Sequence, residues 1–170
     1  RLPRNAVVLE EAPVDRPHIN EILPAREPLG YLSAAMGGLG FAIPGATGLK
    51  MAQPKRPIVA IVGDGSSIYG IQGVWSAAHY RVGAVFVVLS NGGYAIMDRL
   101  AEQHGESGPW PSFREIDLSA VARGFGCPSR RIETHDELDA TLDEIVPTLE
   151  ERDEPLLLDV VVDPTPEFTA

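Results

Sequence analysis

Three apolar runs punctuate the chain, at residues 58–62, 84–89 and 156–162. Each is short and bounded by Gly, Pro, Ser or Asp, the profile of a strand buried on both faces of a parallel sheet. Residues 6–9 predict a further strand. Between these runs the hydrophobic period changes. In residues 71–80, Ile71, Val74, Trp75 and Ala78 fall on one face of a predicted amphipathic helix. Residues 37–52 predict a helix entered through glycines, with Pro44 tolerated near its first turn. Residues 94–104 predict another, and residues 118–124 a short one with Asp117 as N-cap and a closing glycine. Thr134-His135-Asp136-Glu137 matches a capping box and opens a helix disturbed at Pro147. Residues 13–28 read as loop with a short helical turn, and residues 106–113 as loop. Strands alternating with helices predict a single doubly wound α/β domain over residues 1–170, with a mainly parallel sheet and helices on both faces.

Composition narrows the function classes. The 170 residues carry a net charge of −10, which argues against nucleic acid as a partner. Ten acidic side chains between Glu133 and Glu154 read as the solvated face of one helix. Cys127 has no partner for a disulfide or a zinc site, so a semi-buried structural thiol in a reducing, cytoplasmic setting is expected. No run of eighteen apolar residues and no signal-peptide pattern occurs, so no membrane partner is expected. His18, His79, His104 and His135 are scattered without metal spacing and read as surface or structural residues. The chain opens with Arg1 close to a strand, which reads as a piece of a longer polypeptide.

The chemistry gathers where two strands stop. Residues 58–62 end in Gly63-Asp64-Gly65-Ser66-Ser67, and residues 84–89 end in Ser90-Asn91-Gly92-Gly93-Tyr94. A right-handed crossover through one helix puts both ends on the same edge of the sheet. Asp64, Asn91 and the carbonyl of Gly93 then offer a carboxylate, an amide oxygen and a peptide oxygen, a donor set suited to Mg²⁺. Glycines beside the aspartate allow close backbone approach to an anion, and a helix beginning after Ser67 would add its positive end. The residues by themselves thus point to a Mg²⁺–diphosphate site of unspecified type.

Gly63-Asp64-Gly65 followed after twenty-five residues by Asn91 resembles the fingerprint of thiamine-diphosphate-dependent enzymes. Gly37-Gly38-Leu39-Gly40-Phe41-Ala42-Ile43-Pro44-Gly45-Ala46 is similar to the segment those enzymes place beneath the aminopyrimidine ring, and the nearest branch is that of the benzoylformate decarboxylases. Trp75-Ser76-Ala77-Ala78 and the Asn-Gly-X-Tyr after the second strand also look like that branch. The resemblance implies Mg²⁺ on Asp64, Asn91 and the Gly93 carbonyl, and a diphosphate contacted by Gly63, Gly65, Ser66 and Tyr94. It further implies a Gly37-Gly38 loop whose Gly37 carbonyl accepts from the 4′-amino group, and Leu39 as the residue holding the cofactor bent. Met97 and Leu100 match positions lining an aromatic pocket. The implied reaction is decarboxylation of a 2-oxo acid, for which the cofactor serves as electron sink.

Three departures accompany the resemblance. Where the family places hydroxyl residues near the diphosphate after the first strand, this chain reads Glu11-Ala12-Pro13-Val14, so backbone amides are expected to carry more of the contact. Ser90 replaces a second asparagine. The activating glutamate belongs to a separate pyrimidine-binding domain, usually on a partner subunit of a dimer or tetramer, so no catalytic residue is expected in this chain. An acetolactate-synthase-like carboligase, a cofactor-binding module or split-enzyme subunit inactive alone, and a flavodoxin-like domain are the alternatives.

Overall fold

The computed structural model describes residues 1–35 and 37–163. In chain order the elements are β1 (Val7–Glu11), α1 (Arg16–Ile22), β2 (Tyr31–Ser33), α2 (Ala42–Ala52), β3 (Ile58–Gly63), α3 (Asp64–Ile68), α4 (Gly73–His79), β4 (Val85–Ser90), α5 (Ala95–Gln103), α6 (Leu118–Gly124), β5 (Ser129–Ile132), α7 (His135–Ile145), a 3₁₀ turn at Val146–Thr148, and β6 (Leu156–Val161). The strands form one sheet in the order β2-β1-β3-β4-β6-β5, with every pairing parallel. No helix among the described residues is long and apolar enough to cross a membrane.

Side-chain alternation explains why the apolar runs are continuous. Ile58, Ala60 and Val62 of β3, with Phe86 and Val88 of β4, enter one core shared with α2, α4 and α6. Val59 of β3, Val85 of β4 and Leu156, Leu158 and Val160 of β6 enter a second core on the opposite face, closed by Ile145 and Leu149. Both faces are therefore buried, and no polar alternation survives in the central strands. β1 leads outward to β2 on one side, while β3 lies on its other side. The strand order reverses between β1 and β3, which puts the expected ligand crevice above their carboxyl ends.

The structure corrects several local expectations. β2 and β5 have three and four residues and little apolar content, so no hydrophobic run announces them. The helix expected over residues 37–52 begins only at Ala42, because Gly37 and Gly40 take φ values of 67° and 90°. Pro44 thereby falls in its first turn, where no intrahelical donor is lost. The helix over residues 71–80 forms only at Gly73–His79; of the expected face, Val74 is buried and Ile71 and Ala78 pack against the core, joined by Gly73 and Ala77, while Trp75 points outward, 49% exposed. Trp75 stacks on His79 at 5.0 Å. The Thr134–Glu137 capping box forms in both directions. Pro147 sits in the 3₁₀ turn after α7. Cys127 is buried, and burial pushes its thiol up to about 12.

The turn into β4 depends on close backbone approach. A Cβ added at Gly83 would lie 1.9 Å from the carbonyl oxygen of Arg152. That contact is with backbone, so no rotamer change relieves it. Gly83→Ala is expected to cost about 3 kcal/mol, the upper end for overpacking. Urea denaturation checks this, and an unchanged midpoint would show that the two segments move apart freely.

Candidate functional site

Pairing of Gly63 with Leu89 places Asp64 and Asn91 at adjacent strand ends on one edge of the sheet. The Asp64 side chain lies over the β4 turn: its Oδ2 accepts from the Gly92 N–H at 2.6 Å and its Oδ1 from its neighbour Gly65 at 2.7 Å. Asn91 Oδ1 accepts from the Gly93 N–H at 3.0 Å. Gly92 has φ of 77°, a left-handed conformation that glycine adopts without a Cβ penalty, and this turns its N–H toward the carboxylate. Asp64 is only 4% exposed. Burial raises its pKa, while the Gly92 and Gly65 amides pull the other way. Two carboxylate oxygens offer about four lone-pair sites, so Asp64 keeps acceptor capacity beyond these amides.

No helix starts after Ser67. α3 begins at Asp64 and lasts five residues, and Ser67 Oγ donates back to the Asp64 carbonyl. The longer helix α4 begins farther along the chain, at Gly73. The helix start expected after Ser67 thus lies at Asp64 and belongs to a helix of only five residues.

Two glutamates that the sequence reading passed over organise the neighbouring strand end. Glu11, 2% exposed, closes β1 and accepts from the N–H groups of Gly40, Phe41 and Ala42 at 2.6, 2.7 and 2.5 Å. These are orphan donors at the start of α2, so one buried carboxylate both caps that helix and ties the glycine loop to the sheet. Glu10, fully buried, accepts from the Ala12 N–H, the Ser33 hydroxyl and the Arg16 Nε. The signal was legible: two acidic residues ending an apolar strand are seldom buried without donors. Asp159 is a third case. It is the one charged residue of β6, fully buried, and it bonds Ser90 Oγ at 2.5 Å and Arg131 at 2.9 Å. Ser90, which stands in place of an asparagine, is thereby anchored directly beneath Asn91.

A cleft of about 300 Å³ lies above these strand ends, lined by Ala12–Arg16 on the β1 side, by Gly37 and Leu39, by Gly63–Ser66, and by Asn91, Gly93, Tyr94 and Met97 on the β4 side. The residues singled out from the sequence therefore gather on one cleft, with two exceptions. Gly38 is exposed beside Gly37 and Leu39 but does not line it, and Leu100 is 46% exposed and lies outside the lining. Leu39 and Met97 are 38% and 40% exposed, apolar side chains presented at the rim. Tyr94 packs edge-on against Phe113 with ring centroids 5.0 Å apart. All four histidines are exposed. Among the described residues no group of three His, Cys, Asp or Glu side chains forms a metal cluster; the set here holds one carboxylate and relies on neutral oxygens.

An all-parallel domain with a crevice at its switch point, floored by a buried aspartate and glycine turns, is a phosphate-cofactor-binding class of α/β protein. Comparison with known proteins makes this specific. Residues 18–160 match the thiamine pyrophosphate enzyme family, C-terminal TPP binding domain, and the chain belongs to that family. It is 37% identical over 159 residues to a benzoylformate decarboxylase of Pseudomonas aeruginosa, covering 93% of this chain and 29% of that protein. A candidate acetolactate synthase large subunit of Mycobacterium tuberculosis is 32% identical, covering 80% of this chain and 28% of that protein. Among solved structures, benzoylformate decarboxylase from Polynucleobacter necessarius superposes with a TM-score of 0.88 at 26% identity, covering 98% of this chain and 32% of that one. The chain thus spans less than a third of the length of these relatives.

The residues present fit a thiamine diphosphate–metal group in chemistry. Asp64, Asn91 and the Gly93 carbonyl supply hard oxygen donors. The cleft has the volume of a small-molecule site. Burial makes the Asp64 carboxylate costly in its ionised form, a cost that a bound cation relieves.

Proposed function

We propose that this chain forms the diphosphate- and Mg²⁺-holding half of the active site in a thiamine-diphosphate-dependent decarboxylase of 2-oxo acids, with an aromatic 2-oxo acid of the benzoylformate kind as substrate. The observation that carries this reading is the joining of two loops: the Asp64 carboxylate meets the Gly92 amide at 2.6 Å, one residue from Asn91, over the cleft that Leu39 rims. Asp64, Asn91 and the Gly93 carbonyl would hold the metal. Gly63, Gly65, Ser66 and Tyr94 would contact the diphosphate, while Gly37 and Leu39 would seat the organic part. When bound, thiamine diphosphate supplies the electron sink for loss of CO₂. The chain's own residues bind, orient and desolvate.

The group that activates the cofactor has to come from elsewhere. Glu10 and Glu11 are spent on internal donors, and the acids lining the cleft are Asp15 and Asp64. A pyrimidine-binding domain, on the same polypeptide or on a second subunit of a dimer or tetramer, fits the open side of the cleft. Likeness to a candidate acetolactate synthase subunit favours carboligation as the second reading, because the same half-site serves either reaction.

The test offers benzoylformate and pyruvate to the full-length polypeptide that carries this chain, with thiamine diphosphate and Mg²⁺. Benzaldehyde and CO₂ from benzoylformate are the expected products. Acetolactate from pyruvate as the dominant product would favour the second reading. The 170-residue chain alone is expected to release no CO₂, and turnover by it would refute the divided site.

A further inference from the structure

The β1 side of the cleft has a donor problem. Among the loop amides, Ala12 N–H is taken by Glu10, and the N–H groups of Asp15 and Arg16 both bond the Ala12 carbonyl. Pro13 has none. Within this loop only the Val14 N–H is left for the backbone contact expected from the sequence. The side chains of Ala12, Pro13 and Val14 offer no donor either.

We propose that Arg16 is the diphosphate contact on this side, its guanidinium standing in for the absent hydroxyls; this rests on the functional reading above. Arg16 is the one lysine or arginine among the cleft-lining residues, whose other charged members are Asp15 and Asp64. A polyphosphate entering a cleft lined by two acids needs a cation beyond the metal. Arg16 is built to supply it. Glu10 Oε2 holds its Nε at 2.7 Å, and Glu10 is itself fixed by the Ala12 N–H and the Ser33 hydroxyl. One edge of the fork is thus anchored. The two terminal nitrogens make no hydrogen bond among the described residues. Orientation precedes binding, so little rotamer freedom is lost when a phosphate oxygen arrives. The buried glutamate positions the arginine, and the arginine meets the ligand.

Calorimetry on the full-length polypeptide with Mg²⁺, using thiamine diphosphate and inorganic pyrophosphate as probes, tests the assignment. Arg16→Ala is expected to weaken both probes by roughly 10- to 100-fold, the worth of one charge-assisted hydrogen bond. Because that variant leaves Glu10 buried and unpaired, Arg16→Lys is measured beside it. Lysine keeps the charge opposite Glu10 but has no fork, so a folded protein with intermediate affinity is expected. Wild-type affinity for both probes in both variants would overturn the role of Arg16 while leaving the cofactor site standing. Failure of the wild-type protein to bind either probe with Mg²⁺ would overturn the cofactor reading and this inference with it.

Discussion

Asp64→Ala is expected to weaken Mg²⁺-dependent binding of thiamine diphosphate by roughly 30- to 4,000-fold, the 2–5 kcal/mol range for removing one member of a buried charge pair. The effect on the apo protein should be far smaller. In the free chain burial of the Asp64 carboxylate raises its pKa, a cost to the charged form that backbone amides, those of Gly92 and Gly65 among them, only partly offset. Removing it takes away those bonds but also that penalty. Binding and stability should therefore separate: a large loss in calorimetric affinity for the metal–cofactor pair, with a small change in thermal midpoint. Asn91→Ala removes a neutral ligand and should cost less. Wild-type Mg²⁺ dependence in the aspartate variant would end the metal assignment.

How much of this was legible beforehand depended on what each residue had to signal. The central strands were plain because burial on both faces demands unbroken apolar runs, and the Asp64 and Asn91 turns were plain because glycine brackets them. β2 and β5 were silent, since three or four residues at a sheet edge need little apolar surface. Trp75 misled because helical spacing shows which residues share a face but not how wide a strip of it is covered: Val74, Ile71 and Ala78 meet the core and Trp75 falls outside. For Glu11 the need for donors was legible but their identity was not. Its partners lie 29 to 31 residues downstream, and nothing local in the sequence says that a glutamate will reach across to three amides.

This chain is similar both to a protein that bears the name of a decarboxylase and to one that bears the name of an acetolactate synthase subunit. On the proposed reading this chain would fix the cofactor's anchored end. Leu39 and Met97 present apolar side chains at the rim of the cleft, and on the proposed reading a facing domain would complete the substrate pocket.

Glu11 links anchoring to stability, which makes its replacement informative. Glu11→Gln preserves volume, so any effect is electrostatic. The amide removes the charge that the Gly40, Phe41 and Ala42 amides solvate, and it turns one acceptor into a donor facing donors. A buried charge-assisted network of this kind is worth about 3 kcal/mol. In a domain of this size that corresponds to a drop of roughly 6–12 °C in thermal midpoint. The loosened segment carries Leu39, so cofactor affinity should fall as well, and it should fall for the organic part rather than for pyrophosphate. Arg16→Ala should instead weaken pyrophosphate as well as thiamine diphosphate, with Arg16→Lys as the companion variant that keeps Glu10 paired. Comparing the Glu11 and Arg16 variants on both probes separates a residue that shapes the cleft from one that grips the anion. A Glu11→Gln loss as large for pyrophosphate as for thiamine diphosphate would mean that Glu11 acts only as scaffold.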